Sequence, residues 1–134
     1  MKTSSLVLGA WLGALIAGCA SAPTQPAAAP ASGLSELMER PAERSLFEGI
    51  RAYDDGNYAQ AESALRRGLD QGLASHRDQA TAHKLLAFIT CTSNRITECE
   101  NAFRTARAAD PGFALSRSEA GHPLWGPVYK RVLQ

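Results

Sequence analysis

Residues 49–69 read GIRAYDDGNYAQAESALRRGL, and their spacing decides how the chain folds. Leu46, just upstream, joins Ile50 and Tyr53 at spacings of four and three, which places all three on one face of a helix over Glu43 to Tyr53. Asp55-Gly56-Asn57 then breaks the pattern with residues that favour turns. Tyr58, Ala61, Leu65, Gly68 and Leu69 line one face of a second helix that extends to Gly72. The stretch therefore predicts two helices folded back on each other. No segment of the chain shows the sustained alternation of a half-buried strand.

Downstream the scheme repeats. Ser75-x-x-Asp78 is an N-cap signal for a third helix reaching Cys91. That helix is apolar nearly all round, with Ala80, Leu85, Leu86, Ala87, Phe88 and Ile89, which predicts burial on more than one side. Thr92-Ser93-Asn94 is a turn. Ile96, Cys99, Phe103 and Ala106 mark one face of a fourth helix, stopped by Asp110-Pro111-Gly112. In the tail, Ser116-x-x-Glu119 caps a short helical turn. Gly121, Pro123 and Pro127 force a bent passage around Trp125, and Pro127 suits the first turn of a final helix carrying Val128, Tyr129 and Val132.

Two helical hairpins in series is the organisation of a solenoid. Gly49, Ala52-Tyr53, Gly56, Tyr58, Ala61 and Leu65 resemble a tetratricopeptide (TPR) repeat, and Leu86-Ala87, Asn94, Cys99, Phe103, Ala106 and Pro111 resemble a second copy. Cys99 stands where that signature usually has alanine, and His83 where it often has an aromatic. The packing logic is plain. Small residues at Gly49, Ala61 and Ala87 let paired helices approach closely, and Leu65 and Phe103 fill the gap. The expected fold class is all-α: about two TPR-like hairpins and a C-terminal capping helix. Fewer than three repeats need a cover for the outer face. Trp125, docked on the fourth helix, is the expected cap. The alternative is an exposed recognition patch of His122, Trp125 and Tyr129, since Trp and Tyr serve as binding anchors.

The other end of the chain reads MKTSSLVLGAWLGALIAGCAS. Lys2 precedes an apolar run from Leu6 to Ile16, shorter than the roughly 20 residues a membrane-spanning helix needs. This is the pattern of a secretory signal, expected over residues 1–18. Ile16-Ala17-Gly18-Cys19 resembles the bacterial lipobox, which implies lipidation of Cys19. Acyl chains contribute about 0.8 kcal/mol per buried methylene, and more than one chain is needed for stable anchoring. Residue 20 is Ala. By the rule of that family, the periplasmic face of the outer membrane is then the expected location. Residues 19–33, the lipidated terminus and an Ala/Pro-rich uncharged stretch, form a linker that spans roughly 40 Å when extended. Residues 34–134 form the helical domain.

The 14 Lys and Arg residues against 13 Asp and Glu, one of the basic ones being Lys2 of the signal, leave the remainder balanced. There is no basic field for nucleic acid. With Cys19 acylated, Cys91 and Cys99 remain in an oxidising compartment, which favours a bridge. They flank the second hairpin turn, so their Cα atoms are placed to meet the disulfide window of about 4.4–6.8 Å. Such a loop would contribute about 2–3 kcal/mol. The alternative is two small buried thiols. His76 and His83 lie near enough in sequence to be considered as zinc ligands with the cysteines, but neither CxxC nor HxxxH spacing supports a site. No nucleophile elbow, HExxH motif or phosphate loop is present, and no enzyme, metal, cofactor or small-molecule substrate is expected.

The segments AHKLLAFITC, CENAFRTARAADPGFAL and EAGHPLWGPVYKRV, over roughly residues 80 to 131, resemble the TssQ-like TPR lipoproteins associated with type VI secretion. The most distinctive part is GHPLWGPV. The resemblance implies an accessory lipoprotein that holds an envelope or secretion-system protein in a helical groove. The groove candidates are Arg44, Arg51, Lys84 and the side of Phe88. Another envelope process, such as outer-membrane protein assembly, secretin piloting or cell-wall synthesis, is the alternative, because fold does not fix function.

Overall fold

The computed structural model describes residues 39–134. The signal at 1–18, Cys19, the linker to residue 33 and the expected domain start at residue 34 lie outside the described residues. Six helices follow in order: α1 (Pro41–Asp54), α2 (Tyr58–Asp70), α3 (His76–Thr92), α4 (Ile96–Ala109), α5 (Arg117–Ala120) and α6 (Gly126–Val132). Among the described residues there is no strand, and none of these helices is long and apolar enough to cross a membrane. The fold is all-α, built of two TPR-like hairpins, α1–α2 and α3–α4.

The turns explain the element boundaries. α1 begins two residues before the periodic pattern, because Pro41 supplies a preset φ where no intrahelical N–H bond is needed. It ends at Asp54, and the chain is turned out of the helix by Gly56, whose φ of +76° only glycine adopts readily. The Gly56 N–H bonds the Tyr53 carbonyl and the Asn57 N–H bonds the Ala52 carbonyl, a Schellman closure. The second hairpin repeats it: Asn94 has φ +59°, its N–H bonds the Cys91 carbonyl, and Arg95 N–H bonds the Thr90 carbonyl. Asparagine substitutes for glycine because it tolerates the left-handed region best after Gly. Asp78 N–H bonds the Ser75 hydroxyl at the start of α3, as the cap signal predicts.

Close approach fixes the pairing within each hairpin. A Cβ at Gly49 would fall 2.7 Å from Leu65 Cγ, so α1 and α2 meet where one of them has no side chain. In the second hairpin Ala87 and Cys99 are sealed from solvent beside Phe103. α3 packs against α4 on one side and the first hairpin on the other, with Ala80, Ala82 and an unbroken run from Leu85 to Cys91 buried. Fully burying an aliphatic or aromatic side chain contributes about 1.5–3 kcal/mol. Leu65, Ile89 and Phe103 are the largest apolar side chains buried in this way.

The tail closes the open side of the second hairpin. The Ser116 and Glu119 capping box forms, and α6 packs on α4 through Tyr129 and Val128. Tyr129 touches Phe103 and Phe113 and its hydroxyl accepts from the Leu115 N–H. Trp125 does not dock on the fourth helix as the sequence suggested. It stacks on Phe88 of the third, with ring centroids 4.2 Å apart. The reason lies at Gly126, where a Cβ would sit 2.5 Å from the Ala120 carbonyl oxygen. That tight crossing of α5 and α6 turns the Trp125 side chain toward α3.

Candidate groove

Three elements converge on one face: the C-terminal half of α1, the middle of α3, and the passage from α5 to α6. Tyr53 comes from α1, Lys84 and Phe88 from α3, and Glu119, His122 and Trp125 from the cap. Their rings form a row. Tyr58 lies 5.5 Å from Tyr53, Tyr53 lies 6.5 Å from Phe88, and Trp125 is sandwiched between Phe88 and His122. The His122 ring is parallel to Trp125 within 3° at a centroid separation of 3.3 Å. Tyr53, His122 and Trp125 are partly buried, Tyr58 keeps 49% of its surface exposed, and Leu124, next to Trp125, keeps 53%. Phe88 beneath them is buried at 4%.

Polar groups lock this row in place. Trp125 Nε1–H donates to the Glu119 carbonyl at 2.8 Å, so the indole nitrogen is satisfied and the ring is fixed. Lys84 Nζ donates to Glu119 Oε1 at 2.7 Å and also sits 5.8 Å from the Phe88 ring centroid. Burial pushes the Glu119 carboxyl up, but hydrogen bonds from Lys84 and Ser116 outweigh it and the group ends below the ordinary glutamate value. It is therefore held as a carboxylate. Burial, then the neighbouring Tyr58, Asp54 and Glu119, raise the Tyr53 phenol. Tyr53 thus stays a neutral hydroxyl that both donates and accepts.

The sequence candidates divide. Lys84, His122 and Trp125 come together here. Phe88 and Tyr129 are both buried, at 4% and 5%, so they support the surface from below and offer little contact area themselves. Arg44 is exposed on α1. Arg51 lines a shallow hollow with Glu48, Asp55, Asn57 and Gln60, on the side where α1 meets α2, and is not part of the aromatic row. Tyr53, Tyr58 and Glu119 belong to the groove and were not singled out for it. Tyr53 had a signal, since it directly follows the helical face of Leu46 and Ile50. Glu119 had only its cap signal, and nothing local links it to Lys84.

Cys91 and Cys99 lie at disulfide distance, Cα to Cα 5.2 Å, with both residues buried. They join the end of α3 to the first turn of α4 behind the groove. His76 Nδ1 is 2.9 Å from the Ala109 carbonyl, and His83 lies between α2 and α4. Among the described residues no three His, Cys, Asp or Glu side chains are grouped to hold a metal ion. Comparison with protein-family models, curated proteins and solved structures finds no match to this chain.

Proposed function

We propose that this chain is a non-enzymatic, lipid-anchored interaction scaffold at the periplasmic face of the outer membrane, accessory to type VI secretion. One observation carries the interaction role: a row of aromatic rings, with Tyr58, Tyr53, Trp125 and His122 partly exposed over the buried Phe88, runs from the first hairpin to the cap. Trp and Tyr are among the side chains that most often dominate binding energy. The segment Gly121–Val128, GHPLWGPV, on which the secretion resemblance rests, is also the segment that closes this groove. The anchor rests on Cys19 and its lipobox-like context, and the linker gives the groove reach into the periplasm.

Crosslinking in intact cells, followed by purification of the tagged, lipidated chain and mass spectrometry of what comes with it, tests the reading. Sheath, baseplate or membrane-complex subunits of a contractile secretion system are the expected partners. Recovery of outer-membrane assembly, secretin or wall-synthesis factors instead would overturn the type VI assignment and keep the scaffold.

A further inference from the structure

The opposite face carries a second feature that the aromatic row does not use. α2 and α4 splay apart over α3 and leave a cleft of about 500 Å³. Its floor is α3, with His83 and Leu86. One wall is α2, with Arg66, Leu69 and Asp70. The other is α4, with Glu98, Ala102 and Thr105. The volume lies within the range of about 300–1,000 Å³ typical of ligand sites.

We propose that this cleft is a docking site for an arginine side chain of a partner polypeptide. The charges at its two ends differ. At one end Arg66 is held by Glu62 at 2.7 Å and by Glu98 at 3.4 Å, and Arg95 joins the same two carboxylates. Two cations and two anions close on themselves there. Asp70 lies one helical turn further along α2, and among the described residues its carboxylate has no hydrogen-bonding or ionic partner. α3 and α4 run antiparallel, so His83, midway along α3, lies level with Thr105 on α4. The lining of the cleft thus combines one carboxylate without a partner among the described residues, Asp70, with two neutral groups, His83 and Thr105.

The His83 ring also has no hydrogen-bonding partner among the described residues. Burial, and then the field of Arg66, depress its proton affinity, so at neutral pH it is an uncharged imidazole with a free acceptor nitrogen. The Thr105 hydroxyl donates to the Asn101 carbonyl and keeps its oxygen lone pairs for a donor. A carboxylate and two neutral acceptors suit a guanidinium, which presents five N–H donors in a fixed fork. Between them Leu69, Leu86 and Ala102 supply an apolar bed for the three-methylene stem of the same side chain. An anionic or wholly apolar ligand would leave Asp70 facing like charge or lose its water without replacement.

The test is an NMR titration of the full lipidated chain in detergent with N-acetyl-arginine methylamide, using the citrulline analogue as the uncharged isostere. The arginine probe is expected to shift Asp70, His83 and Thr105 saturably. The citrulline probe should bind at least about tenfold more weakly, as loss of a charge-assisted contact implies. Asp70→Asn, at an exposed position outside the core, should weaken the arginine probe by a similar factor and leave the spectrum otherwise unchanged. Lowering the pH through the His83 titration should weaken it further, because the ring, already in the field of Arg66, would add a positive charge to a cleft whose other charged lining groups are Glu98 and Asp70. Equal binding of both probes, undiminished binding to the Asp70→Asn chain, or shifts that fail to saturate would each overturn the proposal.

Discussion

The two hairpins are one design executed twice, with different locks. Gly56 and Asn94 stand at the same place in their turns, both at positive φ and with matching backbone closures. Gly49 corresponds to Ala87, Ala61 to Cys99 and Leu65 to Phe103. The helices of the first hairpin touch through a glycine and a leucine, those of the second through an alanine and a larger phenylalanine. The positions of Cys91 and Cys99 correspond in the first hairpin to Tyr53 and Ala61, and Tyr53 there turns to Tyr58 and Phe88. The second unit is clamped at this position, while the first gives the same position to the aromatic row. A further parallel connects the units. Glu62 pairs with Arg66 one turn on and reaches Arg95 of the next hairpin. Glu100 pairs with Arg104 one turn on and reaches Arg131 of the cap. The cap therefore occupies the place of a third unit.

Substitution at the centre of the second hairpin should have the largest effect. Phe103 touches both Phe88 and Tyr129, so Phe103→Ala removes support from groove and cap together. A loss of about 3–5 kcal/mol is expected in denaturant unfolding. The corresponding Leu65→Ala should cost about 2–5 kcal/mol without loosening the tail. Equal exposure of the tail in both variants, read by limited proteolysis, would break the distinction.

Replacing Cys91 and Cys99 together by Ser is expected to cost about 2–3 kcal/mol. For a domain of this size each kcal/mol lowers Tm by roughly 4–8 °C. The mirror experiment is Tyr53→Cys with Ala61→Cys. Intact mass should show a bridge in the first hairpin, and partner binding should fall because the groove has lost a ring. Next in size is Gly49→Ala, expected to cost about 1–3 kcal/mol because its Cβ collides with Leu65. Ala87→Gly should cost only about 1 kcal/mol, from helix propensity. If both cost the same, close approach is not what distinguishes the hairpins.

The smallest effect is one of pH. Hydrogen bonds from Arg95, and secondarily from Arg66, hold Glu62 down to about 2 against burial that opposes them. Its contribution to stability is complete above the ordinary glutamate value of 4.5 and is lost as the pH falls toward 2. Glu62→Gln should therefore flatten the acid limb of the stability curve between those values, measured by urea unfolding. An unchanged acid limb would mean the link between the two hairpins contributes little.

Most of the fold was legible because its signals are local. Apolar spacing, Gly56, Ser75 and Pro127 each act within a turn or two of their own position. The bridge between Cys91 and Cys99 was legible for the same reason, since both flank one hairpin turn. The site was legible only in part. Lys84 and Glu119 are distant in sequence, and their pairing depends on how the cap lands. The landing of Trp125 on α3 depends on the crossing at Gly126 and Ala120, a three-dimensional constraint with no sequence period. For the same reason Phe88, expected to show a side to the groove, is covered by Trp125, and Tyr129, within the tail, turns inward onto Phe103 and Phe113.

The most direct test of the account is photocrosslinking from the groove in living cells. A photoreactive amino acid at Leu124, exposed beside Trp125, is compared with one at Arg51, exposed in the hollow where α1 meets α2 and away from both the aromatic row and the α2–α4 cleft. A discrete crosslinked partner is expected from position 124, lost on Trp125→Ala in a chain that still folds, and none from position 51. A partner captured equally from both positions, or from position 51 alone, would contradict the assignment of the aromatic row as the binding surface.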